Sequence, residues 1–338
     1  MKKPPEVFKI SHSKAKVGRK CQMAYYYKYI RKLRAKSKSR PLMIGSLVHE
    51  SIESYIKNGT YLSVFKEFRE NTFVKLNVEE RALNADIIDL CKVLVRGWVN
   101  RWNRGPYEMI WVEKEFEVEI SPGVVLVGKI DGRCRDKETG REWLIEHKTC
   151  KRMPDESVRM YDTQTPTYTS VLPEIGEGPV TGVIWDYVRT KMPAIPELLK
   201  SGTLSTRKNI DTIPEVFLRE VNRHGLNPDG YKDIISGLSD ESFYRRIPYQ
   251  VSKSQTLRLR EEMIITADYL QELECKEDYF RNLTRDCSWC DYKDLCYAEL
   301  RGDDTSYLIK HNFEEVKDEA KGKDKGQKEY TGFSDAGD

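Results

Sequence analysis

No run of apolar residues in this 338-residue chain approaches the roughly 20 needed to span a bilayer. The first residues, MKKPPEVFKISHSKAK, lack the apolar stretch of a secretory signal. Both absences point to a cytoplasmic protein, of a prokaryote or a phage-infected cell, with no membrane partner. Acids are scarce at the front. Residues 1–40 hold 14 Lys and Arg against a single acid, Glu6, so they carry +13 and leave −10 for the remainder of a chain of net charge +3. A basic segment on an acidic body suits a polyanion, most simply nucleic acid. No internal repeat is visible. Beyond about residue 314 apolar residues are too few to form a core, and that tail is expected to be disordered. What is present is enough for a core elsewhere: 39% of residues are hydrophobic, which excludes a wholly disordered chain.

Eight cysteines in a cytosolic chain of this size do not read as a disulfide framework. Cys91, Cys134, Cys150 and Cys275 stand alone and read as packed thiols. Cys287, Cys290 and Cys296 form a C-x2-C-x5-C group, with spacing that lets thiolates converge on one metal centre. Three ligands leave a tetrahedral zinc or a four-iron cluster one short, so a fourth must come from elsewhere.

The pattern along the chain alternates between helical and strand periods. Residues 12–33 read as one helix. A second is expected from about Ser46 to Lys57, capped by Ser46 and ended at Asn58-Gly59. Leu83, Ile87, Leu90, Leu94, Trp98 and Trp102 recur at steps of three and four, predicting one long amphipathic helix over 78–102. Strands are expected over 109–120, 124–135, 141–148 and 180–189, and helices over 163–172 and 254–280. Residues 192–250 are polar and weakly periodic and read as an insertion with short helices.

The chemistry concentrates in Gly128-Lys129-Ile130-Asp131-Gly132 and Ile145-Glu146-His147-Lys148. Pairing Asp136 with Arg141 across the turn sets Asp131 opposite Glu146, where side chains on one face lie close. Glu146 and Lys148, two apart, share that face. Opposed carboxylates repel unless a cation lies between them, and Mg²⁺ or Mn²⁺ suits oxygen donors. Lys148 would then orient or help deprotonate a water, or offset phosphate charge. A surface hairpin of ion pairs has the same spacing. His49 and Glu53, at i and i+4 on the helix stripe of Ile52 and Ile56, favour the site. The segment is not a zincin motif, because position 53 is Glu.

Taken in order, Gly45-x3-His49-x3-Glu53, Gly128-x-Ile130-Asp131, Glu146-x-Lys148 and Gln164-x3-Tyr168 resemble the PD-(D/E)XK nuclease superfamily. The likeness is to its RecB-like branch, which includes CRISPR-associated exonucleases with a four-cysteine iron–sulfur cluster. The resemblance implies an α/β, restriction-endonuclease-like fold: a mixed central sheet flanked by helices, with helical insertions. It implies that His49, Asp131, Glu146 and the His147 carbonyl hold Mg²⁺ or Mn²⁺, and that Lys148 is the catalytic lysine beside Asp131 and Glu146. Gln164 and Tyr168 would contact DNA or support the site, with Glu53 nearby. Cys21 would join Cys287, Cys290 and Cys296 around a [4Fe–4S] cluster that ties the two ends of the chain together; zinc on the same thiolates is the alternative. The implied divisions are a basic segment 1–40, a nuclease core 41–190 with a helical insertion 60–105, an accessory region 191–280, a cluster-binding segment 281–313 and a tail 314–338.

The activity implied is hydrolysis of DNA at ends or in single strands, in recombination, repair, replication or phage DNA processing, with a recombination or helicase partner or self-association compatible with it. Tyr25, Tyr26, Tyr27 and Tyr29 would stack on bases or, for at least half of them, pack inside. The rival is a non-catalytic DNA-binding subunit of a recombination complex with a structural cluster or zinc site.

Overall fold

The computed structural model describes residues 6–37, 39–155, 162–207 and 209–316. In chain order its main elements are β1 (Phe8–Ile10), α1 (His12–Lys20), α2 (Gln22–Tyr25), β2 (Leu33–Ala35), α3 (Arg40–Asn58), α4 (Leu62–Asn71), α5 (Val78–Leu83), α6 (Ile87–Trp102), β3 (Tyr107–Ser121), β4 (Val124–Asp136), β5 (Glu142–Cys150), α7 (Gln164–Tyr168), β6 (Gly182–Arg189), α8 (Pro214–Arg223), α9 (Lys232–Gly237), β7 (Tyr244–Gln250), α10 (Lys253–Lys276), α11 (Lys293–Arg301), α12 (Ser306–Asn312) and β8 (Phe313–Glu315).

A six-stranded mixed sheet organises the chain. It runs β1-β4-β5-β6-β7, with β3 also paired to β4. The β3–β4 and β4–β5 pairs are antiparallel hairpins, β5–β6 is parallel and β6–β7 antiparallel. Strand β6 lies inside the sheet and is buried along nearly its whole length, which is why its sequence, GVIWDYVR, reads as a near-continuous apolar run. One apolar cluster joins the sheet to α1 and α10 through Ala15, Met263 and Leu270. Another joins α3 and α6 through Leu47, Ile52, Leu94 and Trp98. This is the expected mixed sheet with flanking helices.

Strand β4 has two edges, and their use fixes the site. Strand β3 runs along one edge. The other is divided: β1 takes Val124–Leu126 and β5 takes Gly132–Arg135. The stretch between, ending at Asp131, has no strand partner on that side.

Several expectations are corrected. The helix over 12–33 is broken at Cys21, whose backbone is extended (φ −162°, ψ 120°), then ends in a π-turn over Tyr26–Ile30. Helix α3 begins at Arg40, with Ser39 at the cap and Pro41 in its first turn, so Ser46 is an interior residue. Its C-terminus is as expected: Gly59 takes φ 70° and closes it. The long helix over 78–102 is two, α5 and α6, because Asn84 and Asp86 leave the helical ladder. The sheet reaches outside 41–190: β1 comes from the basic segment and β7 from the region read as a helical insertion. The basic segment is packed, as expected for at least half of its tyrosines: Tyr25 and Tyr27 are fully buried and Tyr26 and Tyr29 half-buried. Residues 313–315 form β8, which pairs with β2, so the tail cannot start at 314; residues 317–338 lie outside those described.

Candidate active site

The hairpin register is the one expected, Asp136 to Arg141 and Gly132 to Ile145. The next pair, Asp131 and Glu146, falls where the two strands part. There the Asp131 side chain substitutes for the ladder: its Oδ2 accepts the backbone N–H of His147 at 2.9 Å. On the other side, β3 and β4 pair at Val112–Gly132 and Lys114–Ile130 and pass over Glu113 and Asp131. Glu113 has φ 58°, a left-handed conformation that costs an L-residue roughly 1–2 kcal/mol. That turn of the backbone aims its carboxylate inward, and its side chain is only 4% exposed.

Helix α3 brings His49 to the same place. Its Nε2 lies 2.9 Å from Asp131 Oδ2 and its Nδ1 3.6 Å from Glu113 Oε1. Ligand atoms of His49, Glu113 and Asp131 all lie within 4.8 Å of one another. Lys129 contacts the Glu113 carboxylate from outside. Burial lowers the His49 proton affinity, but Asp131 and Glu146 outweigh it and hold the imidazole above its usual range. Burial likewise works against the Asp131 charge, and His49 more than offsets it, so that carboxyl stays ionised.

Glu146 is buried. Lys148 Nζ donates to its Oε1 and Thr165 Oγ1, at the start of α7, to its Oε2, both at 2.7 Å. Burial and the Asp131 charge push the Glu146 carboxyl up, against the pull of Lys148. Lys148 also faces Asp162 at 3.3 Å. Burial disfavours its charge, yet Glu146 and Asp162 win and hold it above the usual lysine range. Lys148 is thus held between two carboxylates, Glu146 and Asp162.

His147 is held on its other side by a group the sequence reading missed. Asp186, fully buried on β6, is its neighbour in the parallel ladder. Asp186 Oδ2 lies 3.0 Å from His147 Nδ1, accepts from Trp98 Nε1 at 2.7 Å, and pairs with Arg246 at 3.3 Å. Burial opposes the Asp186 charge, but Arg246 and His147 keep it ionised.

Of the remaining candidates, Tyr168 is 4% exposed and packs edge-to-face on Phe116 at 5.0 Å. It supports the site from beneath; burial leaves it no face for a DNA strand. Gly128 makes that packing possible, because a Cβ there would lie 2.7 Å from the Phe116 ring and 3.0 Å from Tyr168. Gln164 is half-buried in the first turn of α7, where its backbone N–H donates to Asp162 Oδ1 at 3.2 Å. Glu53 pairs with Lys57 at 2.5 Å at the rim. His49, Glu53, Lys129, His147 and Lys148 line one open pocket of about 470 Å³.

Cys21, Cys287, Cys290 and Cys296 line a second cavity, of about 320 Å³, between the N- and C-terminal segments. The break between α1 and α2 falls at Cys21 itself. These segments are also joined without the cysteines. Tyr27 donates to Glu299 at 2.5 Å, Tyr292 donates to the Leu33 carbonyl at 2.7 Å, and β2 pairs with β8.

A family model of the PD-(D/E)XK nuclease superfamily matches residues 9–297, and the chain belongs to that superfamily. It is therefore of the metal-dependent nuclease kind, whose members use divalent ions such as Mg²⁺ or Mn²⁺ and act on DNA. No curated protein matches. A solved structure described as the crystal structure of SSO0001 is similar at 12% identity, covering 75% of this chain and 84% of that chain, with a TM-score of 0.29. No helix among the described residues is long and apolar enough to cross a membrane.

Proposed function

We propose that this PD-(D/E)XK nuclease is a deoxyribonuclease, an exonuclease working on DNA ends or single strands, with a [4Fe–4S] cluster on Cys21, Cys287, Cys290 and Cys296. The observation that carries the reading is the close group of His49, Glu113 and Asp131, with the Glu146–Lys148 pair nearby, beside an open pocket that His49 and Lys148 line.

Two carboxylates and an imidazole within 4.8 Å fit a divalent cation. The resemblance implies His49, Asp131, Glu146 and the His147 carbonyl as its holders, and Glu113, gathered with His49 and Asp131, would join them. When bound, Mg²⁺ or Mn²⁺ polarises the phosphate and lowers the pKa of an attacking water. The chain's own part is positional. The His147 amide and His49 fix the Asp131 carboxylate. Thr165 and Lys148 fix Glu146. Lys148, a permanent cation half-open to the pocket, binds the phosphate and offsets charge that develops on it.

The cluster reading is supported by four free cysteines from both ends of the chain facing one cavity. Their thiolates suit a four-iron cluster or zinc alike; iron and sulfide content of an anaerobic preparation tests which. The nuclease reading is tested with end-labelled linear and covalently closed circular DNA in Mg²⁺. Exonuclease action digests the linear substrate and spares the circle. Retention of both substrates without degradation is the outcome of the rival, a DNA-binding subunit, and would overturn the reading.

A further inference from the structure

A larger cavity, of about 620 Å³, opens beside the active-site pocket, and the two share Ser46. Its lining includes Lys28, Tyr29, Lys32, Arg34 and Leu42. Leu42, Ser46, His49 and Glu53 recur at steps of four, three and four along α3, so the cavity and the pocket lie along one stripe of a single helix. Leu42 and His49 are seven residues apart, or about 10 Å along the axis. Three cations line this cavity against one acid, Asp291, and Arg34 also faces Glu314 at 3.9 Å, which leaves the lining net positive. Lys28, Arg34, Leu42 and Ser46 are exposed. Tyr29, half-buried, contributes the aromatic ring.

We propose that this groove is the binding track for a single DNA strand leading into the active site, with Lys28, Lys32 and Arg34 on the phosphates and Tyr29 beside the bases. The inference rests on the nuclease reading and adds the path and strandedness of the substrate. Charge complementarity selects a polyanion. Stacking on an aromatic ring is open to unpaired bases, whose faces are free, and closed to bases in a duplex. The π-turn over Tyr26–Ile30 and the left-handed Lys32 (φ 52°) carry the chain round this groove between α2 and β2.

The test compares wild type with Lys28→Gln/Arg34→Gln, two exposed positions whose neutralisation leaves the packed residues in place. Binding of labelled oligo-dT is followed by anisotropy in EDTA over a range of salt, and catalysis by Mg²⁺-dependent hydrolysis of bis(p-nitrophenyl) phosphate, which is too small to reach the groove. The expected result is weaker binding with a slope against log salt smaller by about 1.4, at roughly 0.7 for each single-strand phosphate that the protein no longer neutralises, and unchanged hydrolysis of the small diester. Unchanged affinity and slope for oligo-dT would overturn the proposal. So would an equal weakening on a blunt duplex, which would assign the groove to double-stranded DNA. Failure of wild type to hydrolyse the diester would count against the nuclease reading, while the binding comparison would still judge the groove.

Discussion

The backbone amide of His147 donates to Asp131 Oδ2 at 2.9 Å, at the point where β4 and β5 cease to pair. One side chain thus does what a ladder hydrogen bond does elsewhere, and in doing so is fixed beside His49. Asp131→Asn keeps an oxygen acceptor for that amide but removes the charge. The expected outcome is a folded protein with a melting temperature near wild type and Mg²⁺-dependent cleavage down by at least about 100-fold. A gel-based nuclease assay and a thermal melt, run together, check it. Cleavage at the wild-type rate would remove Asp131 from the metal site.

Glu113 enters the site through the β3–β4 register and its own left-handed backbone. Glu113→Gln is expected to weaken Mn²⁺ binding by at least about tenfold, since a charged donor is replaced by a neutral one of the same shape. Calorimetric titration with Mn²⁺ reads this directly. Wild-type affinity would show that Glu113 serves only to pair with Lys129.

Asp186 is a buried charge that holds three partners: His147, Trp98 and Arg246. Asp186→Ala strands the Arg246 guanidinium, itself stacked over Trp102 at 4.4 Å. Breaking a buried pair from one side costs about 3–5 kcal/mol. Urea denaturation is expected to show a loss of that order.

Acid sensitivity has a definable source away from the site. Arg133, on β4, binds Glu142 of β5 and Glu177 of the turn after α7. Burial opposes both carboxylate charges, but Arg135 and Arg133 at Glu142, and Lys114 and Arg133 at Glu177, hold both below the usual range of about 4.5. Folded values below the unfolded one mean that the network stabilises above about pH 4.5 and that this contribution is lost as pH falls through the lowered values. Melting temperatures are expected to drop steeply below that point in wild type and less steeply in Arg133→Met. Parallel curves would exclude this network as the source.

The sites legible in the sequence were those set by local rules. A four-residue turn fixed the β4–β5 register, so Asp131 and Glu146 could be placed near each other, and Glu146 and Lys148 on one face. Helical spacing placed His49 and Glu53 on one stripe. What escaped depends on longer range. Between the β3–β4 turn and Glu113 a bulge at Glu119–Ser121 shifts the register by one, which moves Glu113 opposite Asp131. Spacing alone gives no sign of it. Strand β1 is three residues long, below the reach of any period. Strand β7 contains Pro248 and two arginines, tolerated because it is an edge strand. Asp186 lies in an apolar run and gains its meaning only from the parallel strand beside it.

The account turns on Lys148 acting beside metal-holding carboxylates. Digestion of linear DNA by wild type and by Lys148→Ala, each in Mg²⁺ and in EDTA, tests this most directly. Degradation by wild type in Mg²⁺ alone, with the variant slower by about 100-fold or more, is the predicted result; equal rates for the two proteins, or undiminished degradation in EDTA, would contradict it.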